Sequence, residues 1–445
     1  MKVDFAFGRA GLQVELPNGY RYSVLEARSA MPLSDVTAAL DLALDHPIGC
    51  APLKELARGR KSAAISVCDV TRPVPNQVTL PPLLERLHKG GITVEDITIL
   101  LATGLHRPAT AEEIRAIVGP EIASRYRVVN HDARSLAEHR SLGQTRRGTP
   151  VFIDERFMAA DLHITLGLIE QHLMLGFSGG RKLIAPGLAA QESIKTIHSP
   201  RFMREVMATE GSIDENPLHD ELLEIAHMAR HDFMLDVALA RNREIAGVFA
   251  GDPVRAHAAG VDFVKRSMQI DIPDCVDGAI TSAAGYPLDL TFYQTIKGVT
   301  AAQHIVKPGG RILVLSECAE GVGSAEFGEK LRTVGSYQSY LDQIESSQVE
   351  VDQWQLEKLA LTGLRNDVLF YVPGVPASAM GALEEKRFHN IDAALVAFFQ
   401  GVPRDAQIAV IPDGPYAYAR AGNAEVGIAG VIRSTPVSER LSYKR

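Results

Sequence analysis

The chain contains few cysteines, and their spacing offers no way to pair them locally. Its 445 residues include only four, Cys50, Cys68, Cys275 and Cys318, and no C-x-x-C pair. Neither a zinc knuckle nor a disulfide framework is therefore indicated, and this cysteine usage is typical of a reducing compartment. The sequence predicts a cytoplasmic protein.

Long apolar runs and an excess of positive charge are also missing. No window approaches 18 consecutive apolar residues, so no transmembrane helix is expected. The first residues alternate like a strand and lack the apolar core of a signal peptide. The formal net charge of −8 argues against nucleic acid or an anionic membrane as the main partner. We expect neither nucleic acid nor a membrane among its partners.

Two common ligand motifs are absent. The chain has no H-E-x-x-H or H-x-H pair, which weakens the case for a site built from several histidines on one zinc ion. It also lacks the G-x-x-x-x-G-K-[ST] spacing of a P-loop.

What is present is the composition and patterning of a globular α/β protein. Hydrophobic residues make up 46% and charged residues 22% of the chain, and its length favours two domains. Short apolar runs alternate with amphipathic helical segments, which predicts mostly parallel sheets covered on both faces. The expected strands are residues 3–7, 12–16, 20–25, 63–67, 97–101, 162–166, 278–282, 310–315, 368–372 and 408–411. Residues 3–16 are predicted to form a hairpin, and Thr110-Ala-Glu-Glu113 is predicted to cap a helix that stops at Gly119.

The predicted fold class is α/β, with two domains that each hold a mostly parallel sheet flanked by helices. We expect an N-terminal domain over 1–270 and a C-terminal α/β domain over 274–415, with the active site in the cleft between them. Residues 192–263 are predicted to be largely helical and polar, and the packing of the tail at 416–445 is left open.

Polar residues follow several of the predicted strands. Asp69 and Arg72 come after the strand at 63–67, His106 follows the strand at 97–101, and His172 follows the strand at 162–166. Because the carboxyl ends of parallel strands meet at one edge of a sheet, these side chains are expected to converge on a ligand. Each has an ordinary alternative, such as a local ion pair for Asp69 and Arg72, and convergence alone names no reaction.

The most informative segment is the glycine-rich run at 176–182, GFSGGRK. Its lysine, Lys182, lies ten residues after His172 and sixteen before His198. Glycines allow backbone N–H groups to approach an anion closely, and histidines exchange protons near neutral pH or bind metals. By itself the run could equally be a polar turn without special chemistry.

Together these motifs resemble the nickel-pincer-nucleotide lactate racemase family. The resemblance spans roughly residues 60–300, with Trp354 as an added point. The matching residues are Asp69-x-x-Arg72-Pro73, Ala102-Thr-Gly-x-His106-Arg107, His172, Phe177-Ser-Gly-Gly-Arg-Lys182, Pro186-Gly187, His198-Ser199 and Tyr293-Gln294-x-x-Lys297.

The resemblance implies a cofactor and a way of holding it. In this family a pyridinium-3-thioamide-5-thiocarboxylic acid mononucleotide carries nickel and is covalently joined to a lysine. Carried over to this chain, Lys182 is the attachment site and His198 is the one protein ligand of nickel. Asp69, Tyr293 and Trp354 are implied cofactor contacts, and the glycines suggest that backbone N–H groups of Ser178, Gly179 and Gly180 receive the phosphate.

The resemblance also implies a reaction, the inversion of C2 of a 2-hydroxy acid by reversible hydride transfer to the nucleotide. His106 and His172 would be the acid/base pair, one for each enantiomer. Arg72 and Lys297 would hold the substrate carboxylate, and Gln294 would orient it. Separate maturation enzymes are expected to make the cofactor.

Which 2-hydroxy acid is the substrate stays open, although Leu105, Leu173 and Met174 beside the histidines would favour an alkyl or aryl substituent if they form a wall. Two other functions remain as alternatives. One is a zinc- or iron-dependent hydrolase with His106, His172 and His198 as ligands, and the other is a non-catalytic sensor of nucleotides or small anions.

Overall fold

The computed structural model describes residues 1–422, and two six-stranded sheets form its centre. The strands are β1 Lys2–Phe5, β2 Leu12–Glu15, β3 Arg21–Val24, β4 Ala63–Cys68, β5 Ile97–Ala102, β6 Arg127–Asn130, β7 His139–Gln144, β8 Pro150–Asp154, β9 Leu162–Leu168, β10 Gln171–His172, β11 Gly176–Phe177, β12 Phe233–Leu239, β13 Ile245–Gly251, β14 Gln269–Ile272, β15 Val276–Ser282, β16 Val306–Leu315, β17 Asp367–Tyr371, β18 Arg387–Phe388, β19 Gln407–Ile411 and β20 Tyr418–Ala421.

Helices connect these strands and cover both sheets. They are α1 Val36–Asp45, α2 Leu53–Ala57, α3 Asn76–Gly90, α4 Ala111–Val118, α5 Pro120–Arg125, α6 Glu155–Met158, α7 Gln191–Ile197, α8 Pro200–Met203, α9 Pro217–Met228, α10 Pro253–Met268, α11 Phe292–Gln303, α12 Ala325–Thr333, α13 Tyr337–Glu345, α14 Gln353–Arg365 and α15 Ile391–Phe399.

The first sheet has the strand order β13-β12-β9-β4-β5-β6 and is parallel except for the antiparallel pair β12 and β13. Its central strands β4 and β9 are buried along their whole length. They read as continuous apolar runs because helices pack on both faces of the sheet. Buried residues of the sheet and its helices form apolar clusters. One of them includes the leucines of α3, and another includes the apolar face of α9.

The expectation of a largely helical stretch at 192–263 is wrong for β12 and β13. Residues 233–239, FMLDVAL, form a buried strand whose parallel partner is β9. Its single charged residue, Asp236, is fully buried. Both faces of this strand are covered, so polar and apolar residues do not alternate along it. The period-two pattern by which a sequence indicates a half-buried strand is therefore missing here.

The second sheet is parallel throughout, in the order β18-β17-β16-β15-β19-β3. Its last strand, β3, comes from the N-terminus and pairs with β19. The expected division at 1–270 is therefore wrong for this first segment. The reason is that β3 completes the hydrogen bonding of β19, while Tyr20 packs on Phe399 with ring centroids 4.4 Å apart.

Several local predictions are confirmed. β1 and β2 pair as an antiparallel hairpin. Thr110 and Glu113 form both hydrogen bonds of a capping box at the start of α4, which ends at Gly119. The sequence left the packing of the tail at 416–445 open. In the structure β20, which belongs to this tail, pairs in parallel with β14, and 423–445 lie outside the described residues. Within residues 1–422, no helix is both long and apolar enough to span a bilayer.

Candidate active site

A cavity of about 540 Å³ lies between the two sheets and takes its walls from both halves of the chain. All of the predicted site residues except Gly180 line it. One wall consists of the loops that follow β4, β5 and β9, and the facing wall consists of α11, the start of α14 and the loop after β16. The predicted cleft between two α/β units is therefore confirmed.

Asp69 and His106 form a hydrogen-bonded pair at the ends of neighbouring strands. Nδ1 of His106 lies 2.7 Å from Oδ2 of Asp69, while the hydroxyl of Thr71 donates to Oδ1 of Asp69 at 2.6 Å. Burial raises the pKa of the Asp69 carboxyl, but the hydrogen bonds from His106 and Thr71 outweigh it and the net pKa lies below the ordinary value. An ionised carboxylate can only accept, so Nδ1 carries the proton and Nε2 is left as an acceptor.

His172 has a different hydrogen-bonding environment. It belongs to the short hairpin of β10 and β11, where its Nδ1 accepts the N–H of Leu175 at 3.3 Å. Burial lowers the pKa of His172 well below its ordinary value, and the positive charges of Lys182, Arg72 and Lys297 lower it further. The ring is therefore neutral, with Nε2 carrying the proton.

His198 follows the last turn of α7 and is arranged to offer one lone pair. Its Nδ1–H donates to the carbonyl of Ile194 at 2.8 Å, which leaves Nε2 as an acceptor. Burial lowers the pKa of His198 to about 4, although the bond to Ile194 opposes the shift. The indole of Trp354 lies against it with ring centroids 4.5 Å apart. A neutral imidazole fixed through Nδ1 is the form that binds a metal.

The histidines do not assemble into a conventional metal centre. Among residues 1–422, no group of three or more His, Cys, Asp or Glu side chains is placed to hold a metal ion. The hydrolase alternative, which needs His106, His172 and His198 on one ion, therefore lacks its site. A metal at His198 would need its other donors from a bound molecule.

The glycine-rich run presents Lys182 to the cavity. After β11 the chain turns into a single 3₁₀ turn at Gly180–Leu183. Gly176 has a φ of +73°, and a Cβ there would lie 2.0 Å from the carbonyl oxygen of Ser212. Burial lowers the pKa of Lys182 to about 8, and the charge of Arg72 lowers it further. At this pKa about a tenth of the amine is neutral and nucleophilic at pH 7, far more than for an ordinary lysine.

The predicted phosphate contacts in this run are wrong for two of the three residues. The N–H of Ser178 donates to the carbonyl of Glu170, and the N–H of Gly180 donates to Oδ2 of Asp236, each at 2.8 Å. Both donors are used to fold the turn and are not free for a ligand. Only Gly179 remains as a predicted backbone contact of this kind.

Three cationic side chains meet at one end of the cavity. Burial lowers the pKa of Lys297 well below its ordinary value, and the charges of Arg72 and Lys182 add to this effect. Arg72 forms an ion pair with Glu170. Nearby, Oε1 of Gln294 has no hydrogen-bond partner within residues 1–422. Like charges this close favour an anionic ligand, since its charge would offset their mutual repulsion.

Tyr293 and Trp354 connect the two helices of the facing wall. The indole N–H of Trp354 donates to the hydroxyl of Tyr293 at 3.2 Å, and the side-chain amide of Gln355 donates to the carbonyl of Tyr293 at 2.8 Å. These bonds fix α14 against α11, so the indole that contacts His198 is held in place from the other half of the chain.

Sequence reasoning missed several residues of this site. Thr71, Glu170, Glu320 and Asp352 all contact or line it. Thr71 and Glu170 lie next to residues that the motifs already marked, and Asp352 lies two residues before Trp354. Asp236 had a readable signal, since one aspartate inside an apolar run indicates a buried polar group with a specific partner.

Comparison with models of known protein families shows which family the chain matches. Models of the lactate racemase N-terminal domain and C-terminal domain match residues 7–211 and 273–416.

The chain belongs to the lactate racemase family.

Two curated lactate racemases are similar to it over most of their length. The lactate racemase of Lactiplantibacillus plantarum is 35% identical over 84% of this chain and 89% of its own. That of Thermoanaerobacterium thermosaccharolyticum is 31% identical over 93% of this chain and 97% of its own. As a member of the lactate racemase family, this protein is an isomerase of the racemase class.

Solved structures agree with this assignment. The lactate racemase apoprotein from Thermoanaerobacterium thermosaccharolyticum superimposes with a TM-score of 0.87 at 31% identity, over 94% of this chain and 100% of that one. A protein from Thermotoga maritima has a TM-score of 0.63 at 18% identity over 83% of this chain and 96% of its own, which shows a shared fold alone.

Proposed function

We propose that this racemase inverts C2 of a 2-hydroxy acid, lactate or a close relative, by reversible hydride transfer to a nickel-pincer nucleotide joined to Lys182. The observation that carries the proposal is a convergence in one cavity. The Lys182 amine, the open Nε2 of His198 and the His106–Asp69 pair all face the same space.

The residues present fit such a cofactor. A buried lysine with its pKa lowered to about 8 is suited to forming a covalent bond through a neutral amine. Nε2 of His198 can serve as the single protein donor, and sulfur donors from the nucleotide suit nickel in a square-planar arrangement. When bound, the group supplies a hydride acceptor, which no side chain of the protein can provide.

The cationic end of the cavity accounts for binding of the substrate carboxylate. Arg72 offers a planar fork of donors to a carboxylate and Lys297 adds a second charge. The substrate would replace Glu170 as the partner of Arg72, and Gln294, which lines the same end of the cavity, would orient it. These contacts fix C2 with its hydroxyl towards the histidines.

His106 is prepared to take a proton. Because Asp69 holds the proton on Nδ1, Nε2 of His106 can accept the hydroxyl proton while C2 loses hydride, and the product is a neutral 2-keto group. Return of hydride to the opposite face, with a proton from a base on that side, completes the inversion. His172 is the proposed second acid/base group. It would donate this proton from Nε2 as an imidazolium, and in the reverse direction the neutral ring would take the hydroxyl proton at Nε2 after its own proton has moved to Nδ1, the atom that accepts from Leu175 in this structure.

The wall beside the histidines favours a small apolar substituent on the substrate. Leu105, Leu173 and Met174 all line the cavity. An apolar wall stabilises a methyl or alkyl group and offers no partner to a second carboxylate. This favours lactate or an alkyl homologue over a dicarboxylic acid. We further propose that separate maturation enzymes supply the cofactor and that the protein acts in the cytoplasm.

The deciding experiment is the intact mass of the full chain co-produced with cofactor-making enzymes, followed by peptide mapping. We expect a nucleotide-sized adduct on Lys182, none on Lys195, and racemisation of each lactate enantiomer by the loaded protein. Lys182→Ala should lose both adduct and activity. An unmodified Lys182, with the maturation enzymes shown to work on a control racemase, would overturn the proposal. Anion binding without turnover would then favour the sensor.

A further inference from the structure

We propose that Asp236 is a positioning residue, which folds the glycine-rich run so that the amine of Lys182 faces the cavity. Its importance for catalysis rests on the proposed attachment of the cofactor at Lys182. The geometric part of the proposal does not depend on any cofactor.

Asp236 reaches the run from the neighbouring strand. It lies in β12, opposite Gly167 of β9, and its side chain is fully buried. Its Oδ2 accepts the N–H of Gly180 at 2.8 Å, two residues before Lys182. A carboxyl oxygen that accepts a backbone N–H in a buried site forms a directional bond that water does not compete for. This bond fixes the backbone at the start of the 3₁₀ turn.

The glycines next to this bond leave the space that the carboxyl group of Asp236 occupies. A Cβ on Gly179 would lie 2.2 Å from Oδ2 of Asp236, and a Cβ on Gly167 would lie 2.9 Å from Oδ1. Gly179 also has a φ of +87°, a conformation that strains any other residue. The turn therefore packs directly on the carboxylate, with no room for a side chain between them.

Arg181 holds the same turn from within. Its guanidinium is buried and donates from Nη2 to the carbonyls of Leu175 at 3.2 Å and Phe177 at 3.1 Å. In a 3₁₀ turn, consecutive side chains point about 120° apart. With Arg181 directed into the protein, Lys182 is directed away from it and into the cavity.

The bond between Asp236 and Gly180 explains why a carboxyl group is buried at position 236. Oδ1 of Asp236 has no hydrogen-bond partner within residues 1–422, although its atoms are enclosed. Such a group destabilises a core unless its other contacts offset the loss of hydration. The bond to Gly180 and the positive charge of Arg181, which lowers the pKa of Asp236, compensate for this loss, and both act on the segment that carries Lys182.

The test measures the position of Lys182 in the full-length apoprotein. Competitive acetylation with acetic anhydride across a pH series, with peptide mapping, gives the midpoint for Lys182 relative to Lys195. Release of the turn should expose Lys182 to water and move its midpoint upward from about 8 by about one pH unit or more. We expect this shift in Asp236→Ala and not in Asp236→Asn, whose amide oxygen can still accept from Gly180.

Asp232→Ala is the matched control. Asp232 precedes the same strand and accepts hydrogen bonds from His163, away from the turn, so its loss should leave the Lys182 midpoint unchanged. On co-production with the maturation enzymes, Asp236→Ala should reduce adduct formation at Lys182 by at least about tenfold while Asp236→Asn retains it.

An unchanged midpoint in folded Asp236→Ala would overturn the proposal, whatever the cofactor result. If that variant does not fold, Gly179→Ala displaces the turn while Asp236 remains, and an unchanged midpoint there has the same meaning. If the midpoint shifts as expected but the wild-type protein acquires no adduct, the positioning role stands and only the proposed function fails.

Discussion

Nδ1 of His106 lies 2.7 Å from Oδ2 of Asp69, although 37 residues separate them in the chain. The two meet because β4 and β5 are parallel neighbours, with Cys68 opposite Ala102 in the register. Asp69 directly follows the first strand, and His106 lies in the turn after the second. The side chain of His106 is 52% exposed and that of Asp69 is 6% exposed, so the carboxylate supports the ring from inside.

Asp69→Asn should lower turnover without preventing cofactor attachment. The amide can donate to Nδ1 and would favour the tautomer with its proton on Nε2, which removes the acceptor. We expect kcat to fall by about 10²- to 10⁴-fold, the usual contribution of a general base. Racemisation measured at equal Lys182 adduct content checks this. Thr71→Val, which removes only the donor to the other oxygen, should have a much smaller effect, and a similar fall in both variants would contradict the tautomer argument.

His106→Ala and His172→Ala should each keep the adduct and reduce racemisation by at least about 100-fold. If the two bases serve opposite faces, each variant should form 2-keto acid from only one enantiomer in a single turnover. Chiral analysis after a rapid quench distinguishes these outcomes. His227→Ala, at an exposed position on α9, should behave like the wild type. Equal loss with both enantiomers would show that the bases do not divide the work in this way.

His198→Ala should lose nickel while the nucleotide stays on Lys182. The reason is that His198 offers Nε2 as a donor and takes no part in the lysine bond. We expect the nickel content to fall by at least about tenfold, measured by elemental analysis beside the intact mass. Trp354→Phe keeps an aromatic ring against His198 and should retain most of the metal. Full nickel content in His198→Ala would remove this residue from the proposed ligand set.

Lys297→Met and Arg72→Lys should weaken substrate binding. Each removes a charged hydrogen bond to the proposed carboxylate, which typically contributes about 1.5–3 kcal/mol, or roughly 10- to 100-fold in KM. Steady-state kinetics on loaded enzyme gives the values. Arg107→Lys is a suitable control because Arg107 is paired with Glu113 and is largely exposed. Unchanged KM values in the first two variants would place the carboxylate elsewhere.

The free energy of unfolding of the apoprotein should fall as the pH drops from about 6.5 towards 4. Burial lowers the pKa of His131 to about 4 and that of His219 to about 3. In this window the unfolded chain binds protons that the folded chain does not, so acid favours unfolding. Each such histidine contributes up to about 1.4 kcal/mol per pH unit. Burial raises the pKa of Asp236 to about 7 and the pKa values of Asp352 and Glu357 above their ordinary range, and these carboxyl groups oppose the trend.

Denaturant titrations at several pH values measure this dependence. His131→Gln removes one of the buried imidazoles. The slope of the free energy of unfolding against pH, below about pH 6.5, should fall by the equivalent of about one bound proton. An identical slope in this variant and the wild type would show that His131 is not the source of the effect.

Local sequence determined much of this protein. Continuous apolar runs such as 63–67 and 162–166 specified buried parallel strands, and the capping box at Thr110 specified where α4 begins. The motifs around Lys182, His106 and His172 marked residues that the fold brings to one cavity, because strand ends at one edge of a parallel sheet converge. These signals are readable since each depends on a few neighbouring residues.

Only the tertiary structure decided the rest. The pairing of β3 with β19 joins strands from the N-terminal and C-terminal parts of the chain, and no local pattern at 21–24 identifies its partner strand. Asp236 accepts from Gly180 across 56 residues and Glu170 accepts from Ser178, so two of the three N–H groups predicted to contact a phosphate are occupied within the protein. Hydrogen bonds between distant segments depend on how strands are ordered in the sheet, and that order follows from burial of the whole chain.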